Sequence, residues 1–228
     1  MKYDRAKTIF SPDGRIFQVE YAREAVNKGT SSLGLVFEEG VVLAATRSNP
    51  ELQVRNPEKI FQIDDHLGAA NSGLVADGRV LVEEARVEAQ KNRMTYDEPI
   101  PVFSLAKFLA DRKQMFTQYG GVRPFGTAML TGGVDDEPQV FQTDPSGNLS
   151  EWNAIAIGRG SDKVNDIFSE EYEEGMSKEE AIKLAVKALN KGEEDLDLHN
   201  IELAVIEKGE DFKRYSTEDL EDMGVELE

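Results

Sequence analysis

Cysteine is absent from all 228 residues, which excludes disulfides, thiolate metal sites and a cysteine nucleophile. Long apolar runs are missing too, and none approaches the roughly 20 residues needed to cross a bilayer. The opening Met1-Lys2-Tyr3-Asp4 lacks the apolar stretch of a secretory signal, so a cytoplasmic protein is expected. Basic residues are in deficit, 26 against 44 acidic ones, for a net charge of −18. That balance argues against nucleic acid and anionic membrane partners, both of which need a basic footprint. Linkers, repeats and low-complexity tracts are also lacking, and 228 residues suffice for one large domain with a proper core.

The charge is unevenly placed. From residue 151 onward there are 23 acidic and 9 basic side chains, a net of −14, whereas residues 1–30 carry a net of +2. A cationic N-terminal end could receive an anionic group such as a partner's C-terminal carboxylate. The acidic remainder suits a high-salt cytoplasm.

What is present is strongly patterned at the N-terminus. Ser11-Pro12-Asp13-Gly14 reads as a turn, with Pro12 fixing φ and Gly14 tolerating the tight backbone. Val19, Ala22, Ala25 and Val26 then recur at helical spacing, with Gly29 placed as a C-terminal cap. Strands are expected at Ser31–Phe37 and Val41–Arg47, joined by Glu38-Glu39-Gly40 as a three-residue loop with the glycine left-handed. Further strands are expected at Ile60–Ile63, Leu67–Asn71, Thr127–Gly133, Gln139–Thr143, Ala154–Ile157 and Ile201–Ile206. Continuous apolar runs such as Val41-Val42-Leu43-Ala44-Ala45 imply sheets covered on both faces.

Helices arrive in pairs. One runs from Val75 to Arg93; the next starts at Ser104 as N-cap, with Leu105, Phe108, Leu109, Met115, Phe116 and Tyr119 as its apolar face. A later pair begins at Ser161 and at Ser177, where Glu180 completes a capping box. Two sheets with paired helices argue for an α+β fold, a four-layer αββα sandwich with an extra N-terminal helix.

The string Tyr3-Asp4-Arg5, Phe10-Ser11-Pro12-Asp13-Gly14-Arg15 and Gln18-Val19-Glu20-Tyr21-Ala22-Arg23-Glu24-Ala25-Val26 resembles the N-terminal signature of proteasome α-type subunits. Glu58-Lys59-Ile60, Ser72-Gly73-Leu74-Val75-Ala76-Asp77, Gly120-Gly121-Val122-Arg123-Pro124-Phe125-Gly126 and Asp144-Pro145-Ser146-Gly147 extend the resemblance over the whole chain. It implies the sandwich of N-terminal nucleophile hydrolases, with residues 1–29 as gate tail, turn and helix and residues 30–228 as the sandwich. It also implies an archaeal-type, non-catalytic subunit without cofactors. Such a subunit forms the outer heptameric ring of the core particle, gates its pore, templates assembly of the β subunits and admits unfolded polypeptides. Its remaining partner would be a hexameric ATPase activator, docked through C-terminal tails. Two residues precede Tyr3, fewer than is usual in the family, so a tail this short would plug the pore poorly.

The alternative is a self-processing β-type protease with Thr30 as nucleophile, since Gly29-Thr30 resembles the site at which β-type subunits cleave themselves. That chemistry needs a freed α-amine, a lysine and an orienting carboxylate. By resemblance the carboxylate falls at Thr46 and the lysine at Arg55, and neither residue suits its task.

The gate cluster implied by the resemblance is Tyr3, Asp4, Pro12 and Tyr21, two phenols and a carboxylate sharing hydrogen bonds beside a stiffened turn. Read from the residues alone, Tyr21 is rather a core aromatic and Asp4 a solvated charge. The implied activator pocket uses Lys59 to bind the terminal carboxylate, with Gly29 and Leu74 lining it. A tail bound there would turn the Pro12 loop outward and shift the gate toward open. Lesser signals are few. Asp195, Asp197 and His199 alternate as weak cation ligands in an acidic loop, and His66 has no catalytic partner.

Overall fold

The computed structural model of the chain describes residues 8–48, 57–193, 196–225 and 227. Helix α1 (Phe17–Asn27) leads into a hairpin of β1 (Ser32–Phe37) and β2 (Gly40–Thr46), then a second of β3 (Ile60–Asp64) and β4 (Leu67–Gly73). The helices α2 (Val75–Tyr96) and α3 (Val102–Gln118) follow. After them come β5 (Thr127–Val134), β6 (Pro138–Thr143), β7 (Leu149–Glu151) and β8 (Ala154–Ile157). The chain ends with α4 (Ser161–Glu171), α5 (Lys178–Gly192), β9 (Ile201–Glu207), β10 (Lys213–Tyr215) and α6 (Thr217–Asp222).

Ten strands form two antiparallel five-stranded sheets, ordered β10-β9-β2-β1-β8 and β3-β4-β5-β6-β7. Strand β2 shows why these apolar runs fold as they do. Val42 and Ala44 face α5 and its neighbours, while Val41, Leu43 and Ala45 enter the core between the sheets. A period of two on a strand with both faces covered makes every residue apolar or small, and all seven are buried. In the other sheet Leu67, Ala69 and Met129 pack under α2 and α3, whereas Ala70, Ala128 and Leu130 face inward. The expected αββα sandwich is therefore present, with α1 at one end of it.

Local chemistry fixes several boundaries. Ser177 and Glu180 make the reciprocal capping box at the start of α5. Gly14 donates to the Ser11 carbonyl at 2.9 Å with φ at +79°, closing the expected turn. Three expectations are corrected. Ser104 is not an N-cap: α3 starts two residues earlier, and the Asp135 carboxylate accepts from Val102 N–H at 2.8 Å instead. Tyr119 lies beyond the helix and is 60% exposed, because the apolar stripe ends a turn before it. Gly40 pairs with Phe37 across a two-residue turn and has no left-handed φ. Glycine is needed there because a Cβ would strike the Ile206 carbonyl and the Phe37 ring.

Candidate functional site

Four strand ends converge at one end of the sandwich: the residues before β1, the end of β2, the start of β3 and the end of β4. A cavity of about 210 Å³ opens there, bordered by Thr30, Arg47, Lys59, Asn71, Gly73 and Val75 among others. At its floor Lys59, only 7% exposed, points its ammonium at three oxygens. Its Nζ donates to the Thr30 carbonyl at 2.5 Å, to Thr30 Oγ1 at 2.7 Å and to the Ser31 carbonyl at 3.2 Å. Burial lowers the Lys59 pKa to about 7, and the carboxylates of Glu193 and Glu202 oppose that shift.

Those carboxylates are themselves built in. Glu202 accepts from the backbone N–H groups of Lys59 (3.1 Å) and Ile60 (3.0 Å), which fixes the lysine's backbone, and pairs with Arg47 at 3.5 Å. Glu193 accepts from Ser31 N–H at 2.8 Å, Thr46 Oγ1 at 3.2 Å and Arg159 Nε at 2.6 Å. Burial alone would raise the Glu193 carboxyl; the hydrogen bonds from Arg159 and Ser31 hold it below the usual carboxylate range.

Helix α1 enters the site through its C-terminal end. Val26 is buried in the core between the sheets, and Ser72 Oγ bonds the Val26 carbonyl (3.3 Å) and the Thr30 carbonyl (2.9 Å). On the far side, Arg23 pairs with Asp144 at 2.9 Å, in the turn that follows β6. Gly29 closes the end of the helix by donating its N–H to the Val26 carbonyl at 2.9 Å, and it does so without a left-handed φ. Its role is close approach. A Cβ on Gly29 would hit the Gly73 nitrogen, one on Gly73 the Gly126 carbonyl, and one on Gly126 the Leu74 side chain at 2.7 Å. Three glycines thus stack backbone against backbone where α1, β4 and β5 meet.

A family profile for the N-terminal signature of A-type proteasome subunits matches residues 3–25, and a general proteasome-subunit profile matches residues 26–206. This chain belongs to the proteasome subunit family and is of the α type. It is 53% identical over 221 residues to the proteasome alpha subunit of Thermococcus sibiricus, covering 96% of this chain and 85% of that one. The corresponding protein of Methanopyrus kandleri is 53% identical over 225 residues, 97% of this chain and 91% of that one. That of Methanosarcina acetivorans is 51% identical over 226 residues, 97% and 92% of the two chains. Membership of this family makes the chain one part of an assembly with other proteasome subunits.

Set against the α-type expectations, Lys59 borders the cavity, whereas Gly29 packs against Ser72 and Gly73 at the end of α1 and is not among the bordering residues. Leu74 sits just outside the cavity, 44% exposed, where its N–H bonds the Gly126 carbonyl at 2.8 Å; Val75 takes the bordering position instead. Pro12 is exposed at the tip of its turn. Tyr21 is 51% exposed on α1, so the core-aromatic alternative is set aside. Tyr3, Asp4, Arg55 and Asp195 lie outside the described residues. The Asp197 carboxylate caps a short turn by accepting His199 N–H at 2.9 Å.

One expectation is overturned. The lysine of a threonine-protease set need not be sought at Arg55, because Lys59 already stands 2.7 Å from Thr30 Oγ1. Of the partner side chains in that set, the carboxylate position, Thr46, is the one that departs, and the Thr46 hydroxyl hands on to Glu193. Glu193 was invisible in the sequence because it opens the acidic run Glu193-Glu194-Asp195 with nothing to mark it from its neighbours. Arg47 and Asn71 were likewise missed, being the unremarkable last residues of strand-like runs.

Proposed function

We propose that this chain is the non-catalytic gating α subunit of a proteasome core particle, acting in the cytoplasm in intracellular protein degradation. Residues 1–29 form its gate segment and residues 30–228 its sandwich, within one domain. Seven copies form the outer ring that admits unfolded polypeptides, templates the β subunits and receives an ATPase activator. The observation that carries this reading is the integration of α1 into the fold. Val26 contributes to the inter-sheet core, and Ser72 ties the helix end to Thr30. As long as α1 stays attached through Gly29, the Thr30 nitrogen is in a peptide bond and is not the free amine a threonine nucleophile needs. Its hydroxyl donates to the Thr46 carbonyl at 2.7 Å, so the proton is already engaged.

In this reading Pro12, Tyr21, Tyr3 and Asp4 stabilise the open gate across subunit boundaries, and the Lys59 cavity receives an activator's C-terminal carboxylate. Lys59→Ala should abolish ATPase-stimulated peptide hydrolysis by the assembled particle; intact stimulation would remove Lys59 from the docking site. A native mass spectrum of the chain by itself tests the scaffold role. A ring of seven 25.4 kDa subunits, about 178 kDa, all retaining Met1–Gly29, is the expected species.

The Lys59–Thr30 contact favours one second reading, a self-processing threonine protease, because it supplies the cation that would activate the hydroxyl. The same spectrum separates the two: subunits beginning at Thr30 would establish self-cleavage.

A further inference from the structure

Lys59 and the oxygens it bonds belong to different sheets. The lysine immediately precedes β3, the edge strand of the second sheet, whereas Thr30 and Ser31 lead into β1 of the first. Sliding of one sheet over the other would pull the ammonium from all three acceptors. Glu202 spans that gap. On β9, in the first sheet, the inward stripe runs Glu202, Ala204 and Ile206, and the last two pack in the core between the sheets. A carboxylate only 8% exposed is costly at such a position unless its charge is matched. The nearest partners are backbone groups. Glu202 Oε2 accepts from Ile60 N–H at 3.0 Å and Lys59 N–H at 3.1 Å, while the guanidinium groups of Arg47 and Arg214 stay at 3.5 and 3.9 Å. Arg214, opposite Ala204 on β10, completes the grip by donating Nη2 to the Ile60 carbonyl at 2.8 Å. Two side chains of the first sheet thus take both the N–H and the carbonyl of Ile60, which an edge strand would otherwise leave open.

We propose that Glu202 is a positioning residue of the site, fixing from the opposite sheet the backbone from which Lys59 reaches Thr30 and Ser31. For its effect on activity this rests on the role given to Lys59 above. Glu202 touches no ligand and acts through the lysine in two ways. Its reach locks the donor into the frame of its own acceptors, because β9 and β1 are strands of one sheet. Its charge favours the protonated amine. Burial lowers the Lys59 pKa and Arg159 adds to that, while the carboxylates of Glu193 and Glu202 act the other way. Arg47 and Arg214, the remaining charged neighbours, are paired to Glu202 itself. A glutamine would keep the reach and lose the charge, and an aspartate would do the reverse.

Competitive labelling of the full-length protein with trace acetic anhydride, read at Lys59 by peptide mass spectrometry as a function of pH, reports on that amine without any partner. In Glu202→Gln the labelling curve should move to lower pH by about half a unit, roughly threefold in neutral amine below the midpoint. Deuterium exchange reads the reach. In Glu202→Asp the amides of Lys59 and Ile60 should exchange at least about tenfold faster than in the wild type, the scale of a lost charge-assisted hydrogen bond, with Glu202→Gln in between. A labelling curve that stays in place or moves upward in Glu202→Gln overturns the role of the charge. Wild-type exchange at both amides in Glu202→Asp overturns the role of the reach. In the assembled particle the ratio of activator-stimulated to basal hydrolysis should fall as Lys59 loses its proton, and should do so at lower pH in Glu202→Gln. If the labelling curve moves and that ratio does not follow it, the role given to Lys59 fails while the positioning by Glu202 stands. Should Glu202→Gln not fold, the exchange measured in Glu202→Asp still decides.

Discussion

Two lysines in this chain have their pKa pushed down by burial to about 7, and their surroundings make them different instruments. Lys113, on α3, is sealed completely. Its Nζ donates to the Thr143 carbonyl at 2.9 Å and Thr143 Oγ1 at 2.8 Å, with Asp144 the nearby charge that opposes the shift. Lys59 borders a cavity and faces three oxygens. A neutral amine has two N–H groups and an ammonium three, so the acceptors around Lys113 suit either form while those around Lys59 are all satisfied only by the charged one. Similar desolvation therefore leaves the Lys113 contacts intact when the proton is lost and strands one oxygen at Lys59. The number of oxygens decides, not the depth of burial.

The largest effect that would break this contrast is on stability. Lys59→Met strands two backbone carbonyls and a hydroxyl and should cost about 3 kcal/mol in urea unfolding. A loss no larger than that of Lys113→Met would make the two sites equivalent. Next comes pH. The unfolded chain keeps its lysines protonated to about pH 10, while the folded one releases these protons near 7. Unfolding then takes up protons between those values, so stability rises with pH across that window. Each lysine should add about 2 kcal/mol between pH 7 and 9 if it neutralises freely. Lys113→Met should remove more of that rise than Lys59→Met, because neutral Lys59 leaves one of its three oxygens unpaired whereas neutral Lys113 still serves both of its own; the reverse order would refute the acceptor count. Smaller still, Lys113→Met should lose only about 1 kcal/mol at pH 7, since removing a buried cation offsets the stranded Thr143 oxygens. Activator-stimulated hydrolysis should be unchanged in that variant. Smallest is Arg23→Ala, which breaks a partly exposed pair with Asp144 and should cost about 1 kcal/mol in thermal unfolding.

What the sequence made legible follows the range of the interactions concerned. The Ser177–Glu180 capping box and the Ser11–Gly14 turn close within four residues, so their chemistry is written side by side. The αββα layering was readable from the unbroken apolar run of β2, whose adjacent residues serve opposite cores. The short strands β7 and β10 escaped notice because three residues carry no period. The site resisted for a related reason. Lys59 meets Thr30 across 29 positions and Glu193 meets Ser31 across 162, so only the pairing of strand ends brings them together. Glycine misled in both directions: Gly29 and Gly40 invited turn geometries, whereas close approach is what excludes a side chain from each.

The stack of Gly29, Gly73 and Gly126 has a consequence for how this protein can diverge. Where Gly29 meets Gly73 and Gly73 meets Gly126 the joint is backbone without rotamers, so a substitution at Gly29 or Gly73 cannot be compensated by trimming the neighbouring glycine. The solvent side of α1 is under no such constraint, so it can change while the glycines keep the angle at which the helix leaves the sandwich. The geometry that presents the N-terminus would then be inherited more faithfully than the residues displayed on it.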